Sequence, residues 1–399
     1  RPLGGGLPVL GGACPRGAKY REKSAPEPEI GRNENDMQPK IAIVYLSFHC
    51  EPYIGAVVNA LEKLTYPKDR VAFVIVDNPH PEYGSSAPHL TEHVLPKSGV
   101  TLPETILIAN ETNEGFAGGN NRGVTWALAH GYDYVYFHNN DAFMDSGCLE
   151  PLVDAMEGDN RIAIAQSLIR LYPDTERVNS AGNALHFLGF GYCREYKTRV
   201  ADVALPPVCD IPYASGAAMM VRASFMRDHG AWDGDFFLYH EDTDFSLRAR
   251  TRGYRVALAR DSVMFHQYEF KRSVSKYFWM ERNRFAILLL YYRWATLLLM
   301  LPAFIAVEIG TMPIAMIKGW WRERLRSYAY WAKPSNLRLW FKKRRAMQAA
   351  RTVGDRALLA FTTGRILFQE ADVDSPILRY IANPILAAYL WIVKKVVFW

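Results

Sequence analysis

The chain has 399 residues, of which 49% are hydrophobic and 22% are charged, and its net charge is +6. This composition is typical of a folded protein, and it excludes both wholesale disorder and a collagen-like repeat. The 5 cysteines are scattered and form no C-x-x-C motif, so neither a disulfide framework nor a zinc ribbon is indicated. A reducing cytoplasmic compartment fits this cysteine usage best.

The positive charge is concentrated near the C-terminus. The segment from Lys318 to Arg365 holds 13 Lys or Arg and two acidic residues, so it carries +11 and the rest of the chain carries −5. We therefore expect any attraction to phosphates or anionic lipid to be local to this stretch. The basic run 342–345 does not require nucleic-acid binding, because a solvated or lipid-facing helix explains the same charges.

The first 36 residues show neither helical nor strand periodicity, and residues 1–36 are predicted to be a disordered leader or a cloning remnant. From residue 40 onward, short apolar runs alternate with helical patterns, which predicts an α/β domain with a mostly parallel, mixed sheet between helices. The predicted strands are 41–46, 71–76, 105–109, 134–137, 162–169, 217–221 and 255–259, and the predicted helices are 53–64, 120–130, 148–157, 222–229 and 243–252.

The character of the sequence changes after residue 276. The stretch 294–317 is long enough to span a bilayer at ~1.5 Å per residue, but it contains Glu308 and two prolines. We expect a membrane-associated segment, with a re-entrant or interface-lying helical hairpin preferred over a simple span. Tryptophans at 320, 321, 331 and 340 among arginines and lysines are typical of a membrane interface. A soluble helical dimer interface is the alternative, which leaves a homo-oligomer open.

Polar residues follow several of the predicted strands. In a parallel α/β sheet, ligands bind where the strands end at their carboxyl edge. A single carboxylate there can simply cap a helix, but a set of polar groups is harder to explain in that way. Asp141, with its amide neighbours, suits a hard cation such as Mg²⁺ or Mn²⁺ that keeps water and phosphate oxygens as its other ligands. The residues at these strand ends are Ser47, His49, Glu51, Asp77, Asn139 and Asp141.

A glycine-rich stretch from Asn113 to Gly123 leads into a predicted helix. Glycines permit close backbone approach, and the N–H groups at a helix start attract anions, so a nucleotide pyrophosphate could lie nearby. The stretch matches neither the G-x-G-x-x-G pattern of a dinucleotide-binding unit nor the Gly-Lys-Ser/Thr of a phosphate-binding loop. A plain turn with a helix cap is the alternative.

Two adjacent carboxylates, Glu241 and Asp242, follow four apolar or aromatic residues and precede a helical pattern. They are either ordinary charges at a helix N-terminus or groups whose pKa is raised by an apolar surrounding, as a general base requires. Further along, His266 follows another strand-like run. A single histidine of this kind is more often structural than a ligand.

The order of these motifs resembles that of family 2 of the inverting glycosyltransferases, which have the glycosyltransferase-A fold, and especially its bacterial rhamnosyltransferase-like branch. The resemblance spans roughly residues 40 to 285. This sequence departs from the family pattern in having Asn139 at the first position of the D-x-D motif and His49 where an Asn is usual. The motifs are Val76-Asp77-Asn78, the stretch Asn113 to Gly123, Asn139-Asn140-Asp141, Glu241-Asp242-Thr243-Asp244 with Arg248 and Gly253, His266, and Glu281-Arg282-Asn283-Arg284.

The resemblance implies a role for each candidate residue. Asp141 and His266 would bind Mg²⁺ or Mn²⁺ on the donor diphosphate. Asp242 would deprotonate the acceptor hydroxyl, with Glu241 as its catalytic neighbour. The residues implied in binding the donor are Ser47, His49, Glu51, Asp77, Asn113, Gly115, Asn120, Asn121, Asn139, Arg248 and Arg282.

These inferences predict an inverting, metal-dependent hexosyltransferase that takes rhamnose or a similar sugar from dTDP-rhamnose or a UDP-sugar. The acceptor is expected to be a polyprenyl-linked saccharide at the cytoplasmic face of the cell membrane, in cell-surface polysaccharide assembly. Residues 37–285 are predicted to form the catalytic domain and residues 286–399 a helical membrane-associated region. The alternatives are a sugar-1-phosphate nucleotidyltransferase, whose Gly- and Arg-rich loop is missing after the first strand, and a catalytically silent membrane scaffold of the same fold.

Overall fold

The computed structural model describes residues 38–268, 274, 276–367 and 376–399. The predicted leader at residues 1–36 lies outside the described residues.

Strands and helices alternate through the first two thirds of the chain, and helices dominate the rest. The strands are β1 (Ile41–Ser47), β2 (Val71–Asp77), β3 (Glu104–Ala109), β4 (Tyr134–His138), β5 (Ala142–Met144), β6 (Ile162–Leu171), β7 (Val178–Ser180), β8 (Asn183–His186), β9 (Gly191–Cys193), β10 (Val208–Asp210), β11 (Ala218–Arg222), β12 (Arg255–His266) and β13 (Thr362–Thr363). The α-helices are α1 (Ile54–Glu62), α2 (Ala87–His93), α3 (Gly115–Ala129), α4 (Glu150–Gly158), α5 (Ala223–His229), α6 (Glu241–Thr251), α7 (Lys276–Tyr291), α8 (Trp294–Ile317), α9 (Trp321–Ala332), α10 (Pro334–Ala349), α11 (Asp355–Ala360) and α12 (Asn383–Val396).

The main sheet is mixed and has the order β10-β12-β6-β11-β4-β1-β2-β3, with β5 added beside β12 and β7 beside β6. Neighbouring strands from β4 to β3 run parallel, whereas β11 is antiparallel to both β4 and β6. The central strands are apolar along their whole length because helices cover both faces of the sheet, and each face has its own core. The predicted α/β fold is confirmed.

Short strands and one helix start differ from the sequence prediction. The strands β5, β7, β9 and β10 have three residues each, too few to show a period of two. A second sheet, β13-β8-β9, was also not predicted, and it pairs Thr362 with Leu185 across a large sequence separation. Helix α3 begins at Gly115 rather than at residue 120, so most of the glycine-rich stretch is helical.

The C-terminal helices share a core with the sheet region. Leu185 and Leu247 lie in the same buried apolar cluster as Trp340 and Leu386. The predicted boundary at residue 285 falls inside α7, so no linker separates the two predicted regions. Burial of apolar surface between them joins the regions in one structure.

Helix α8 is one continuous helix, so the predicted break into a helical hairpin is wrong. Its carboxylate, Glu308, accepts hydrogen bonds from Arg324 at 2.6 Å and from Tyr328 at 2.5 Å, and it also pairs with Arg284. Neighbouring helices therefore neutralise the charge that made a simple apolar helix look unfavourable. Among the described residues, α8 is the one helix long and apolar enough to cross a bilayer.

The aromatic residues divide into internal and exposed groups. Trp340 is fully buried and donates to the Tyr330 hydroxyl at 3.0 Å, so it belongs to the core rather than to the predicted membrane interface. An exposed apolar surface is instead formed by α8 and α12, which pack together through a hydrogen bond from the Tyr389 hydroxyl to a backbone carbonyl of α8. On this surface Ile309 is 69% exposed and Trp391 is 63% exposed.

Candidate active site

The topology of the sheet collects the candidate residues at one edge. Strands β1, β2 and β4 are parallel, so they end at the same side. Strand β12 is parallel to β6, and β6 and β4 are both antiparallel to β11, so β12 ends at that side as well. Asp141, just after β4, therefore meets His266 at the end of β12, although 125 positions separate them.

Asp141 and His266 form a close polar pair. The Asp141 Oδ1 atom lies 3.0 Å from His266 Nε2, and both side chains are largely buried. Asn139 donates its amide hydrogen to Asp141 Oδ1 at 2.6 Å, and its Nδ2 atom lies 3.2 Å from His266 Nε2. Asn139, which stands at the first position of the D-x-D motif, thus orients Asp141 at its last position.

A residue that the sequence did not single out orients the histidine. The Oδ1 atom of Asn179, on β7, lies 3.2 Å from His266 Nδ1. A proton on Nδ1 would be donated to this oxygen, which leaves the lone pair of Nε2 to accept from the Asn139 amide or to bind a cation. A three-residue strand carries no pattern that marks Asn179 for this role.

The donor set of this pair fits a divalent cation. Carboxylate oxygens and imidazole nitrogens are both common metal ligands, and here Asn139 orients the carboxylate and Asn179 orients the imidazole, as metal sites require. Within the described ranges, no cluster of three or more His, Cys, Asp or Glu is arranged to hold a metal. A cation held by Asp141 and His266 would therefore take its remaining ligands from water and from substrate oxygens.

Asp77 lies at the same edge of the sheet, at the end of β2. It is completely buried, and it accepts hydrogen bonds from the hydroxyls of Ser47 at 2.7 Å and Ser85 at 2.6 Å. Ser85 was not predicted. Its place in the loop after a strand that ends in Asp is the signal that could have identified it.

Two aromatic rings lie in the loops that follow β1 and β2. His49 has a left-handed backbone, with φ of 53°, and its ring stacks on Tyr83 with centroids 4.0 Å apart. Its Nδ1 atom lies 3.1 Å from Glu51 Oε2. Exposed stacked rings beside a buried carboxylate are suited to a flat heterocycle. The structure thus brings Ser47, His49, Glu51 and Asp77 together, as predicted, and adds Tyr83.

The glycine-rich stretch packs helix α3 against its neighbours. An added Cβ at Gly115, where φ is +72°, would lie 2.5 Å from the Phe237 ring, and one at Gly119 would lie 2.5 Å from Leu46. The first N–H groups of α3 donate to the carbonyl of Phe237, at 2.8 Å from Phe116. The expectation of an anion at this helix start is therefore wrong for those N–H groups, because a carbonyl already satisfies them.

Three asparagines of this stretch are engaged within the fold. Asn113 accepts from the Gly115 N–H at 2.8 Å and so shapes the start of α3. Asn120 donates to the Phe116 carbonyl at 2.9 Å, and Asn121 both donates to and accepts from the backbone of Trp232. These side chains therefore position the start of α3, and the donor contacts that the resemblance implies for them stay a prediction.

The segment just before α6 has an unusual backbone. Phe237, Tyr239 and His240 all have φ near +64°, a region that costs a residue with a side chain on the order of 1 kcal/mol or more. Such conformations persist only where surrounding contacts fix them, and they concentrate at functional sites. The segment leads directly into Glu241 and Asp242.

Side chains of α7 hold this segment in place. Asn283 donates to the carbonyls of Phe236, Leu238 and Tyr239 at 2.9, 2.9 and 2.7 Å. Arg282 also donates to the Phe236 carbonyl, at 3.0 Å. Arg282 thus positions the backbone beside the acidic pair, and its predicted contact with the donor stays a prediction.

Glu241 and Asp242 begin α6 and differ in environment. Burial raises the pKa of Asp242 to about 6, although its carboxylate accepts from the N–H groups of Thr243 at 2.7 Å and Gly216 at 3.4 Å. Burial and the adjacent Asp242 charge raise the pKa of Glu241 well above its ordinary value. Among the described residues, Glu241 Oε2 is buried without a hydrogen-bond partner, as suits a protonated carboxyl. Near neutral pH, Asp242 therefore carries the charge.

A short loop connects the acidic pair to the predicted metal ligands. The Asn139 N–H donates to the Ala217 carbonyl at 3.2 Å, and the next residue back, Gly216, contacts Asp242. The candidate base and the Asp141 motif therefore lie on two sides of one loop.

Arg248 has a structural role in α6. Its guanidinium forms an ion pair with Asp244, and it donates to the Ala231 carbonyl at 2.6 Å. The Tyr291 hydroxyl completes the group by donating to Asp244 Oδ1 at 2.6 Å, which joins α6 to α7. Arg248 thus belongs to a buried ion pair, and the donor-binding role that the resemblance implies for it stays a prediction.

Sequence comparison identifies the family. Residues 134–341, just over half of the chain, match the model described as glycosyl transferase family group 2. The chain belongs to glycosyl transferase family group 2. The prediction of the family is thereby confirmed, and the rhamnosyltransferase-like branch stays a prediction. No curated protein matches the chain.

Solved glycosyltransferase structures resemble this family 2 chain at low sequence identity. GalNAc-T7 with UDP, GalNAc and Mn²⁺ is 14% identical with a TM-score of 0.51, over 66% of this chain and 49% of that protein. This family 2 chain thus spans about half the length of GalNAc-T7. Residues 1–349 of TarS from S. aureus are 14% identical with a TM-score of 0.46, over 89% of this chain and 90% of that one. The mannosyltransferase PcManGT from Pyrobaculum calidifontis, with GDP-Man and Mn²⁺, is 15% identical with a TM-score of 0.45, over 90% of this chain and 87% of that one. The likeness to GalNAc-T7 supports the glycosyltransferase-A fold.

Proposed function

We propose that this family 2 chain is a metal-dependent, inverting glycosyltransferase, with Asp141 and His266 as metal ligands and Asp242 as the general base. The observation that carries the proposal is the joint placement of these groups. The Asp141 and His266 pair lies on one side of the loop 215–217, and the carboxylate with a pKa raised to about 6 lies on the other.

The chemistry assigned to Asp242 is one proton transfer. As the acceptor hydroxyl oxygen bonds to the anomeric carbon, its proton passes to Asp242, and the bond from that carbon to the diphosphate oxygen breaks. A single displacement of this kind inverts the configuration of the sugar. A base with a pKa near 6 is ionised at neutral pH and still accepts a proton readily. Glu241, held protonated by burial, has no charge with which to compete.

The donor is proposed to be a nucleotide sugar. The stacked rings of His49 and Tyr83 offer a surface to the base, and Asp77 offers a buried acceptor. A bound divalent cation would offset negative charge on the donor diphosphate. The rhamnosyltransferase-like motifs favour dTDP-rhamnose, and a UDP-sugar is the other candidate.

The acceptor is proposed to be a polyprenyl-linked saccharide at the cytoplasmic face of a membrane. The support is the exposed apolar surface of α8 and α12, because exposed apolar surface that is grouped on neighbouring helices typically contacts a partner or a membrane. The basic segment 318–365 follows α8 directly and would stay on the cytoplasmic side.

Donor binding tests the assignment of the site. The protein is heated with a panel of nucleotide sugars in the presence of Mn²⁺ or Mg²⁺, and the shift in Tm and the release of nucleoside diphosphate are measured. Asp141→Asn should lose the metal-dependent Tm shift, and Asp242→Asn should keep it while losing turnover. The matched control is Asp69→Asn, an exposed carboxylate at the opposite edge of the sheet. A Tm shift that no variant changes would refute the proposal.

A further inference from the structure

An open pocket of about 520 Å³ lies between the start of α8 and one face of α10. It is lined by Arg293, Trp294, Phe341, Arg344, Arg345 and Gln348. The four residues from α10 are spaced three, four and seven positions apart, so they share one helix face. None of the lining residues is acidic.

The three arginines of the pocket differ in their contacts. Arg344 is buried, donates to the Tyr292 carbonyl at 2.7 Å, and lies over the Trp294 ring at 4.2 Å. The side chains of Arg293 and Arg345 are exposed and make no ion pair among the residues that the structure describes. One guanidinium is therefore a fixed part of the wall, and two are available to an anion.

The pocket adjoins the exposed apolar surface. Trp294 is 54% exposed, and it lies on the same face of α8 as Leu298, Leu301, Ile305 and Ile309, which are also exposed. The arginines thus lie at the end of an apolar face, where lipid headgroups would be if that face contacted acyl chains. Tryptophan is favoured at that depth, and arginine pairs with phosphate there.

We propose that this pocket binds the phosphate of an anionic phospholipid headgroup and thereby fixes the depth and orientation of the enzyme on the membrane. The inference rests on the membrane association in the proposed function. It goes further in assigning the contact to Arg293 and Arg345 and to a defined chemical group.

Vesicle binding by the full chain tests the pocket. Vesicles of phosphatidylcholine alone are compared with vesicles that also contain phosphatidic acid, and the bound fraction is measured by sedimentation. The double variant Arg293→Gln/Arg345→Gln should bind the anionic vesicles about ten- to thirtyfold more weakly, since each cation near an anionic surface contributes about fivefold. The control, Lys40→Gln/Lys63→Gln, removes two exposed charges of the sheet region, away from α8, α10 and α12, and should lose less than threefold.

The outcomes separate the pocket from the proposed function. Equal losses of vesicle binding in both double variants would overturn the assignment of phospholipid binding to the pocket, and so would equal binding of wild type to neutral and anionic vesicles. Neither result would contradict membrane association itself. Failure to bind any vesicle would overturn both. The assignment to a phospholipid would be overturned if inorganic phosphate protected the protein from thermal unfolding while the protein showed no preference for anionic vesicles. It would also be overturned if the pocket variant lost binding only to vesicles that contain polyprenyl phosphate. The Tm shift with the donor should be the same in all variants, which shows that each is folded.

Discussion

The raised pKa of Asp242 predicts the pH dependence of the enzyme. A base must be ionised to accept a proton, so activity should fall as the pH drops through the pKa of Asp242, which burial raises to about 6. At pH 5 a base with this pKa is about one tenth ionised, whereas an ordinary aspartate, with a pKa of about 3.9, is more than about nine tenths ionised. The rate at pH 5 should therefore be about a tenth of the plateau.

The variant Asp242→Asn separates this role from a structural one. Because the folded-state pKa lies above the unfolded value, the group favours the folded state at low pH, and this contribution is lost as the pH rises through about 6. Removing the ionisable group should therefore raise the free energy of unfolding at pH 8 by about 3 kcal/mol, and change it much less at pH 4. The same variant should lower turnover by ~10² to 10⁴.

Two measurements check the prediction. One is kcat/KM from pH 4.5 to 8, followed by release of nucleoside diphosphate with the donor that gives the largest Tm shift. The other is urea unfolding at pH 4 and pH 8. The control is Glu241→Gln, which should keep the acidic limb near pH 6, since burial is the main cause of the Asp242 shift. An acidic limb below about pH 4.5 in the wild type, or Asp242→Asn retaining most of the turnover, would refute the reasoning.

Three further predictions concern the supports of the site. Asp141→Ala should abolish donor binding that depends on Mn²⁺, and excess EDTA should abolish the same binding in wild type. Full activity in EDTA would contradict the assignment of Asp141 and His266 as metal ligands. Asn283→Ala removes two N–H donors from buried carbonyls, so it should lower the free energy of unfolding by about 1–3 kcal/mol and reduce turnover, as urea titration and rate measurements would show. A chain truncated after Tyr292 should aggregate or lose cooperative unfolding, since its core is shared with the C-terminal helices; a stable fragment seen by size exclusion and circular dichroism would disprove this.

The strands and the pairing of Asp141 with His266 were within reach of the sequence, for a physical reason. Continuous apolar runs identify strands buried on both faces, and a polar residue placed directly after such a run has to lie at the carboxyl edge. Asp77 and Asp141 were identified in this way, and the topology then brings His266 to the same edge. The resemblance to the family, and not the spacing of the residues, predicted that Asp141 and His266 act together.

The roles of the arginines and the glycines were beyond the sequence. Arg282 and Arg248 match family motifs, but their partners are backbone carbonyls and a carboxylate that meet them only after folding. The glycines at 115 and 119 looked like an anion-binding turn, because close helix packing and anion binding require the same small residue. Local patterns do not distinguish the two uses.

Helix α7 has a consequence for building chimeras with relatives. Its Asn283 holds the segment before Asp242, while Arg284, on the next position, pairs with Glu308 of α8. A graft of the C-terminal helices joined after Tyr292 would keep Asn283 and Arg284 of α7 but would replace Glu308 of α8, the partner of Arg284. A crossover before residue 276 transfers α7 together with α8, so both sets of contacts come from the same parent. Strand β8 would have to come from that parent as well, because β13 pairs with it.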